Sequence, residues 1–184
     1  MTATALAPTE GVMVTSWLDT PLGPMIACAT GRGVCLLEFS DRRALETQYK
    51  TLQRLFNLRL TPGRNRHITR LGQELDAYFA RKCKRFTVPL EYPGTPFQRG
   101  VWEELLRIPY GQTCSYEDVA LAVGAKTSHR AVARANGMNR LAIVVPCHRV
   151  LKKDGGLAGY GGGLWRKQFL LDLERTRETG QSFI

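Results

Sequence analysis

The run Pro146-Cys147-His148-Arg149-Val150 sets a thiol beside an imidazole and a guanidinium. The thiolate is the nucleophilic form of cysteine, and such neighbours lower its pKa from about 8.5. The pentad is therefore suited to attack on an electrophilic carbon. A lone Cys-His dipeptide is more often a structural cysteine with a chance neighbour. What sets this one apart is the run as a whole and its place after Leu141-Ala142-Ile143-Val144-Val145, which reads as a buried strand that would hold the thiol rigidly.

Three other segments carry candidate chemistry. Asp154 to Gly163 holds six glycines in ten residues, which permits close backbone approach to a flat ligand, with Tyr160 as one wall of a slot. It lacks the Gly-Lys-Ser/Thr ending of a phosphate-binding P-loop. From Thr127 or Ser128 to Gly137, a helical pattern spaces Arg130 and Arg134 four apart, and Ala131 and Ala135 likewise. Small residues there would let a backbone approach DNA while the arginines hold phosphates or enter the duplex; a solvated scaffold helix packed through its alanines fits the pattern equally. A final helix from Leu164 to about Arg175 carries Lys167 and, near its end, Glu174. An acid at that end opposes the helix dipole. It is either a surface charge or a buried group that orients His148.

The elements that must position these residues fall into two parts. Val12 to Leu18, Pro24 to Ala29 and Val34 to Phe39 read as antiparallel strands joined by turns at Thr20-Pro21-Leu22-Gly23 and Thr30-Gly31-Arg32-Gly33. Helices are predicted over Arg42 to Phe56 and, after a break at Thr61-Pro62-Gly63, over Ile68 to Phe79. Phe86 to Leu90 would add an edge strand. This gives a frayed tail over residues 1–11, an α+β structural domain over 12–90, a linker over 91–96 rich in proline and a mostly helical domain over 97–184. In the latter, Phe97, Val101, Leu105 and Ile108 recur at helical spacing, and Pro109-Tyr110-Gly111 ends that helix. Ser115-Tyr116-Glu117-Asp118 is a capping box opening a helix that ends near Gly124, so this helix and the next form a helix-turn-helix.

The 184 residues carry a net charge of +10, which favours a polyanionic partner. Each side of Pro96 holds 13 Lys and Arg against 8 Asp and Glu, so bulk charge does not say where that partner binds. No apolar stretch is long enough to cross a bilayer, and the N-terminus lacks the pattern of a signal peptide. The five cysteines show no zinc-finger spacing and read as free thiols in a reducing cytoplasm.

Taken in order, these motifs resemble the O6-alkylguanine-DNA alkyltransferases, also called methylated-DNA-protein-cysteine methyltransferases. The resemblance covers nearly the whole chain and is most specific at Ile143 to Val150. Thr20 to Gly23, Ser115-Tyr116, Arg130-Ala131-Val132, Asn139, Gly159-Tyr160 and Glu174 support it. It implies a small ribonuclease H-like first domain and direct-reversal repair. An O6-alkylguanine, or an O4-alkylthymine, would be flipped from duplex DNA and its alkyl group moved irreversibly to Cys147, once per molecule.

By the same resemblance His148 would act as base through a water, Glu174 would orient His148, and Asn139 would brace the turn. Tyr116 would help rotate the nucleotide and hydrogen-bond the base, and Arg130 would fill the vacated space. Tyr160, Gly161, Pro146 and Val150 would line the pocket, while Thr127, Ser128, Ala131 and Arg134 would meet DNA through the minor groove. The resemblance implies a cytoplasmic monomer, nucleoid-associated if the source is bacterial, without metal or cofactor. Arg134 departs from the small residue expected there, and Gly161-Gly162-Gly163 reads as more flexible than a typical pocket loop. Two other classes compete: a helix-turn-helix regulator leaves the Pro-Cys-His-Arg run unexplained, and a Cys-His hydrolase would take its histidine from a distant segment.

Overall fold

The computed structural model describes residues 11–125 and 128–175; the expected tail falls outside them except for Gly11, as does Thr127. The chain opens on antiparallel strands β1 (Val12–Leu18), β2 (Met25–Ala29) and β3 (Val34–Phe39). A fourth strand, β4 (Arg59–Pro62), runs parallel to β1 and completes a sheet of order β3-β2-β1-β4. The sequence reads there only as a break, because Pro62 is compatible with a strand only at an edge, which is where β4 lies.

Alternation along the strands gives the sheet two apolar faces. Met13, Ile26 and Cys28 face α1 (Leu45–Phe56) through Leu52, while Val14, Met25, Ala27 and Leu37 face α2 (Arg66–Phe79) through Ile68, Leu71 and Leu75. Helix α1 starts three residues later than its pattern predicts. Arg42 instead lies in a turn, with its N–H on Phe39 O at 3.1 Å, and this frees its side chain to reach elsewhere.

The free edge of β3 is where the two parts of the chain join. Val34 N donates to Pro89 O and Val34 O accepts from Glu91 N, both at 2.8 Å. Leu37 N donates to Arg140 O at 2.8 Å, and Ala142 N donates to Leu37 O at 2.9 Å. A sheet edge that would template aggregation is thus covered from within. Two expected strands reduce to single bridges here. Phe86 to Leu90 pairs only at Leu90, and Leu141 to Val145 pairs only at Leu141 before the backbone turns away.

The second part is helical. Helix α3 (Pro96–Arg107) has Pro96 in its first turn and a capping box between Thr95 and Gln98. Helix α4 (Tyr116–Ala122) opens on the Ser115–Asp118 box read from the sequence. Helix α5 (His129–Gly137) buries Val132, Ala135 and Asn136 against α3 and α4, and Trp102 Nε1 donates to Ala135 O at 2.9 Å. Two short parallel strands, β5 (Cys114–Ser115) and β6 (Val150–Leu151), flank the signature run, and α6 (Leu164–Glu174) closes the chain. The architecture is α+β, a sheet domain followed by a helical one. No helix among the described residues is long and apolar enough to cross a membrane.

Candidate active site

Cys147 opens a 3₁₀ turn (Cys147–Arg149) reached through two tight reversals. Ile143 adopts a φ of 71° with Val144 N on Ala142 O at 2.8 Å, a γ-turn that a β-branched residue enters only under strain. Pro146 sits at φ −81° and ψ 59° with Cys147 N on Val145 O at 2.8 Å, the inverse γ-turn. Local apolarity suggested a strand; the chain instead folds these residues into a fully buried turn. Asn139 holds it, accepting from Leu141 N at 2.9 Å and donating to Val145 O at 2.8 Å and to Cys147 Sγ at 3.1 Å. Strain at such a site persists because the surroundings over-determine it.

The thiol is buried, and burial pushes its pKa up while the Asn139 hydrogen bond opposes this. The lowered pKa expected from the sequence is therefore not that of the resting state. A buried thiol in this state needs a base to take its proton before it can attack, and the next residue in the chain is His148. Its ring is fully buried, Nε2 lies 2.8 Å from Glu174 Oε1, and Nδ1 is buried with no hydrogen-bond partner among the described residues. Since a carboxylate only accepts, Nε2 carries the proton and Nδ1 presents a lone pair. Burial lowers the His148 pKa, with the Glu174 contact opposing, so the ring rests neutral.

Glu174 does more than orient His148. Tyr78, from the sheet domain, donates to Oε1 at 2.6 Å; Arg149 binds both oxygens at 2.8 and 2.9 Å; Gly111 N donates to Oε2 at 3.2 Å. Burial alone would raise this acid, but the hydrogen bonds from His148 and Arg149 hold it well below the usual carboxylate range. Gly111 has a φ of 77°, and a Cβ there would stand 2.9 Å from Glu174 O. Only glycine satisfies both demands.

The loop opposite the thiol is firmer than its glycines suggest. A Cβ on Gly161 would meet the Arg42 guanidinium at 2.5 Å, and one on Gly162 the Phe39 ring at 2.5 Å. Tyr160 packs edge-on to Phe39, 6.4 Å between centroids, and its hydroxyl is buried without a partner among the described residues. We expect Gly162→Ala to lower stability by about 1–3 kcal/mol through overpacking. Thermal melting should show recovery when Phe39→Leu is added, and no recovery would locate the strain elsewhere.

Arg42 pairs with the buried Glu38 and donates to Gly137 O at 2.7 Å and Asn139 O at 3.2 Å, so the sheet domain reaches the end of α5 and the bracing asparagine. Lys167 is fully buried, with Nζ on Val150 O at 2.6 Å and Ala158 O at 3.1 Å; burial lowers its pKa to about 8. Nothing local marks Arg42 or Tyr78 as site residues, since their partners lie 95 to 97 positions away.

Tyr116, at the start of α4, is half-buried, and its pKa is raised by burial and then by proximity to Cys147. Arg130, Ala131 and Arg134 are exposed on α5, and Ser128 is its N-cap without a side-chain capping bond. Asn136, on the buried face of the same helix, points its Nδ2 at Cys147 O from 3.5 Å. Pro146 lines a cleft with Arg149 and Tyr110, and Val150 is fully buried in β6.

The family model for the ribonuclease-like domain of 6-O-methylguanine DNA methyltransferase matches residues 13–92, and that for its DNA binding domain matches residues 96–176. The chain belongs to this methyltransferase family. A methylated-DNA-protein-cysteine methyltransferase of Mycobacterium tuberculosis is 43% identical over 160 residues, covering 87% of this chain and 91% of the relative. The constitutive methyltransferase of Bacillus subtilis is 41% identical over 158 residues, covering 85% and 92%. Among solved structures, the Mycobacterium tuberculosis methyltransferase in complex with DNA matches with a TM-score of 0.77 at 38% identity, covering 88% of this chain and 92% of that one.

Proposed function

We propose that this methyltransferase repairs duplex DNA by moving the alkyl group of O6-alkylguanine, and of O4-alkylthymine, onto Cys147. The observation that carries the reading is the arrangement of His148, the residue after Cys147, with Nε2 fixed on Glu174 and Nδ1 buried without a partner among the described residues. In the reaction His148 Nδ1 takes the thiol proton through one water. The thiolate attacks the alkyl carbon, a carbon–sulfur bond forms, and the carbon–O6 bond breaks with its electron pair left on the base. A proton returns to the base, which Tyr116 hydrogen-bonds as it leaves. The thioether is inert, so each molecule acts once and no cofactor is needed.

The target atom is stacked and paired in a duplex, so the nucleotide must be extruded at a cost of a few kcal/mol. The exposed Arg130 on α5 supports a role in filling the space left behind, and the exposed Ala131 and Arg134 beside it support backbone contact with α5 in the minor groove; a monomer is the proposed repair unit. Tyr160 and Gly161 would wall the base, with Pro146 and Val150 shaping the turn around the thiol. The direct test is intact-mass measurement with peptide mapping after incubation with a duplex containing O6-methylguanine. One methyl group on Cys147 is expected; a methyl on another cysteine, or turnover without modification, overturns the assignment.

Arg130→Ala should slow transfer from duplex DNA by about 10²-fold while leaving transfer from a free alkylated guanine base nearly unchanged. Single-turnover rates on the two substrates decide this, and equal losses would remove the role. Arg134→Ala should instead weaken all DNA binding evenly and reduce the salt slope by about one.

A further inference from the structure

Half of the net positive charge lies before Pro96, on the domain to which the repair reaction assigns no DNA contact. Much of it is gathered in Arg81-Lys82-Cys83-Lys84-Arg85, directly after α2, where all four cations are exposed. The run is held in one shape. Arg81 takes a left-handed φ of 60°, Lys82 N and Cys83 N both donate to Ala77 O at 2.8 and 3.1 Å, and Cys83 Sγ donates to Arg85 O at 3.1 Å.

Beside this run lies a cleft of about 750 Å³. Its rim carries Lys84, Arg85 and Arg107, and no carboxylate lines it among the described residues. Arg107 is paired with Glu104, and the inner Arg149 is neutralised by Glu174, but Lys84 and Arg85 have no acidic partner among the described residues. The interior is apolar, with Leu106, 41% exposed, at its mouth and Ile108 and Val144 within.

We propose that this cleft binds a short acidic peptide segment of another protein, one that carries an apolar anchor residue beside its carboxylates. The rim cations complement the acids, and the apolar interior takes the anchor, the division of labour of a small recognition pocket. A nucleic-acid strand fits less well. Base stacking needs a free ring face, and the cleft's aromatic rings are engaged: Lys84 and Arg149 stand over Tyr110, each 5.9 Å from its centroid, and Phe86 packs on Tyr78 at 5.4 Å. A duplex backbone is convex and would leave the apolar interior empty. Because the cations sit on fixed backbone, binding need order only their side chains and the peptide, not the run itself.

Fluorescence anisotropy with labelled Asp-Asp-Asp-Leu-Phe tests this, against Asp-Asp-Asp-Ser-Ser, Asn-Asn-Asn-Leu-Phe and a single-stranded oligothymidine. The first peptide should saturate the protein, and either altered peptide should bind at least about tenfold more weakly. The double variant Lys84→Glu, Arg85→Glu should lose the same factor with an unchanged melting temperature. A second variant, Leu106→Ser, reports on the anchor alone. No saturable binding up to about 1 mM, binding that survives the charge reversal, or equal binding of the Asp-Asp-Asp-Ser-Ser peptide overturns the proposal. An oligothymidine that saturates the cleft and displaces the peptide assigns the site to nucleic acid instead.

Discussion

Cys147→Ser should abolish alkyl transfer, with a loss on the order of 10⁴-fold or more in the single-turnover rate, while the variant stays folded and keeps its affinity for alkylated DNA. Serine preserves the shape of the side chain and can still accept from Asn139 Nδ2, which lies 3.1 Å from the sulfur in the native protein. The turn is held by Asn139 through Leu141 N and Val145 O, neither of which involves the sulfur. What changes is the nucleophile. A hydroxyl is far less acidic than a thiol, and burial already pushes the thiol itself up. Toward a saturated alkyl carbon the un-ionised hydroxyl is a far poorer nucleophile than a thiolate, and the serine oxygen carries almost no anion at working pH. Rapid-quench transfer assays and DNA-binding titrations on the same preparation separate the two effects. Joint loss of binding and transfer would mean that the sulfur is part of the scaffold, and measurable transfer by the serine variant would remove it as acceptor.

The helical half was legible because its signals are local. The Ser115–Asp118 box, the periodicity of α3 and its stop before Pro109-Tyr110-Gly111 are each fixed within a few residues; the structure has the box and the helix, which ends at Arg107. The odd placement of Glu174 at a helix end left a surface charge or a buried group open, and the structure buries it among His148, Arg149 and Tyr78. What the sequence hid is non-local. Leu141 to Val145 has the composition of a strand, but the edge of β3 offers it one bridge, and Asn139 then folds the rest into γ-turns. Strand β4 depends on finding β1 some 47 positions earlier. Likewise Gly161 and Gly162 read as flexibility, whereas their lack of a side chain is what admits Arg42 and Phe39.

These contacts make the sheet domain a working part of the site. Glu38 anchors Arg42, whose guanidinium reaches Gly137 O at the end of α5 and Asn139 O beside the thiol, while Tyr78 reaches Glu174. Arg166 adds a third tie, bonded to Asp41 at 2.8 and 3.0 Å and stacked 4.2 Å from the Phe39 ring centroid. A helical domain severed from this sheet would lose one ligand of its carboxylate and the brace behind its asparagine.

Glu174→Gln should shift the pH profile of transfer upward by on the order of one pH unit and also cost about 3 kcal/mol of stability. The shift follows because the Glu174 carboxylate supports the proton affinity of His148 against burial, which lowers it. An amide removes that support, so the imidazolium formed on proton transfer is less stable, the thiolate–imidazolium pair is populated less, and thiolate must form by direct proton loss at higher pH. The stability loss follows because Arg149 would keep its buried place beside an uncharged partner. Its sign with pH is fixed by linkage: Glu174 is depressed below its ordinary 4.5, so its contribution is complete above that value and fades as pH falls from there. Wild type and variant should therefore differ by a constant amount above about pH 5 and converge in acid. Tyr78→Phe separates scaffold from chemistry, since it removes one hydrogen bond to the same carboxylate without touching His148. It should lose about 1–2 kcal/mol and leave the pH profile where it was. Denaturant melts at several pH values, paired with single-turnover transfer on the same samples, read both quantities. If Tyr78→Phe shifts the profile as far as Glu174→Gln does, or if folded Glu174→Gln keeps the wild-type profile, Glu174 is a structural anion and the thiolate is set by other groups.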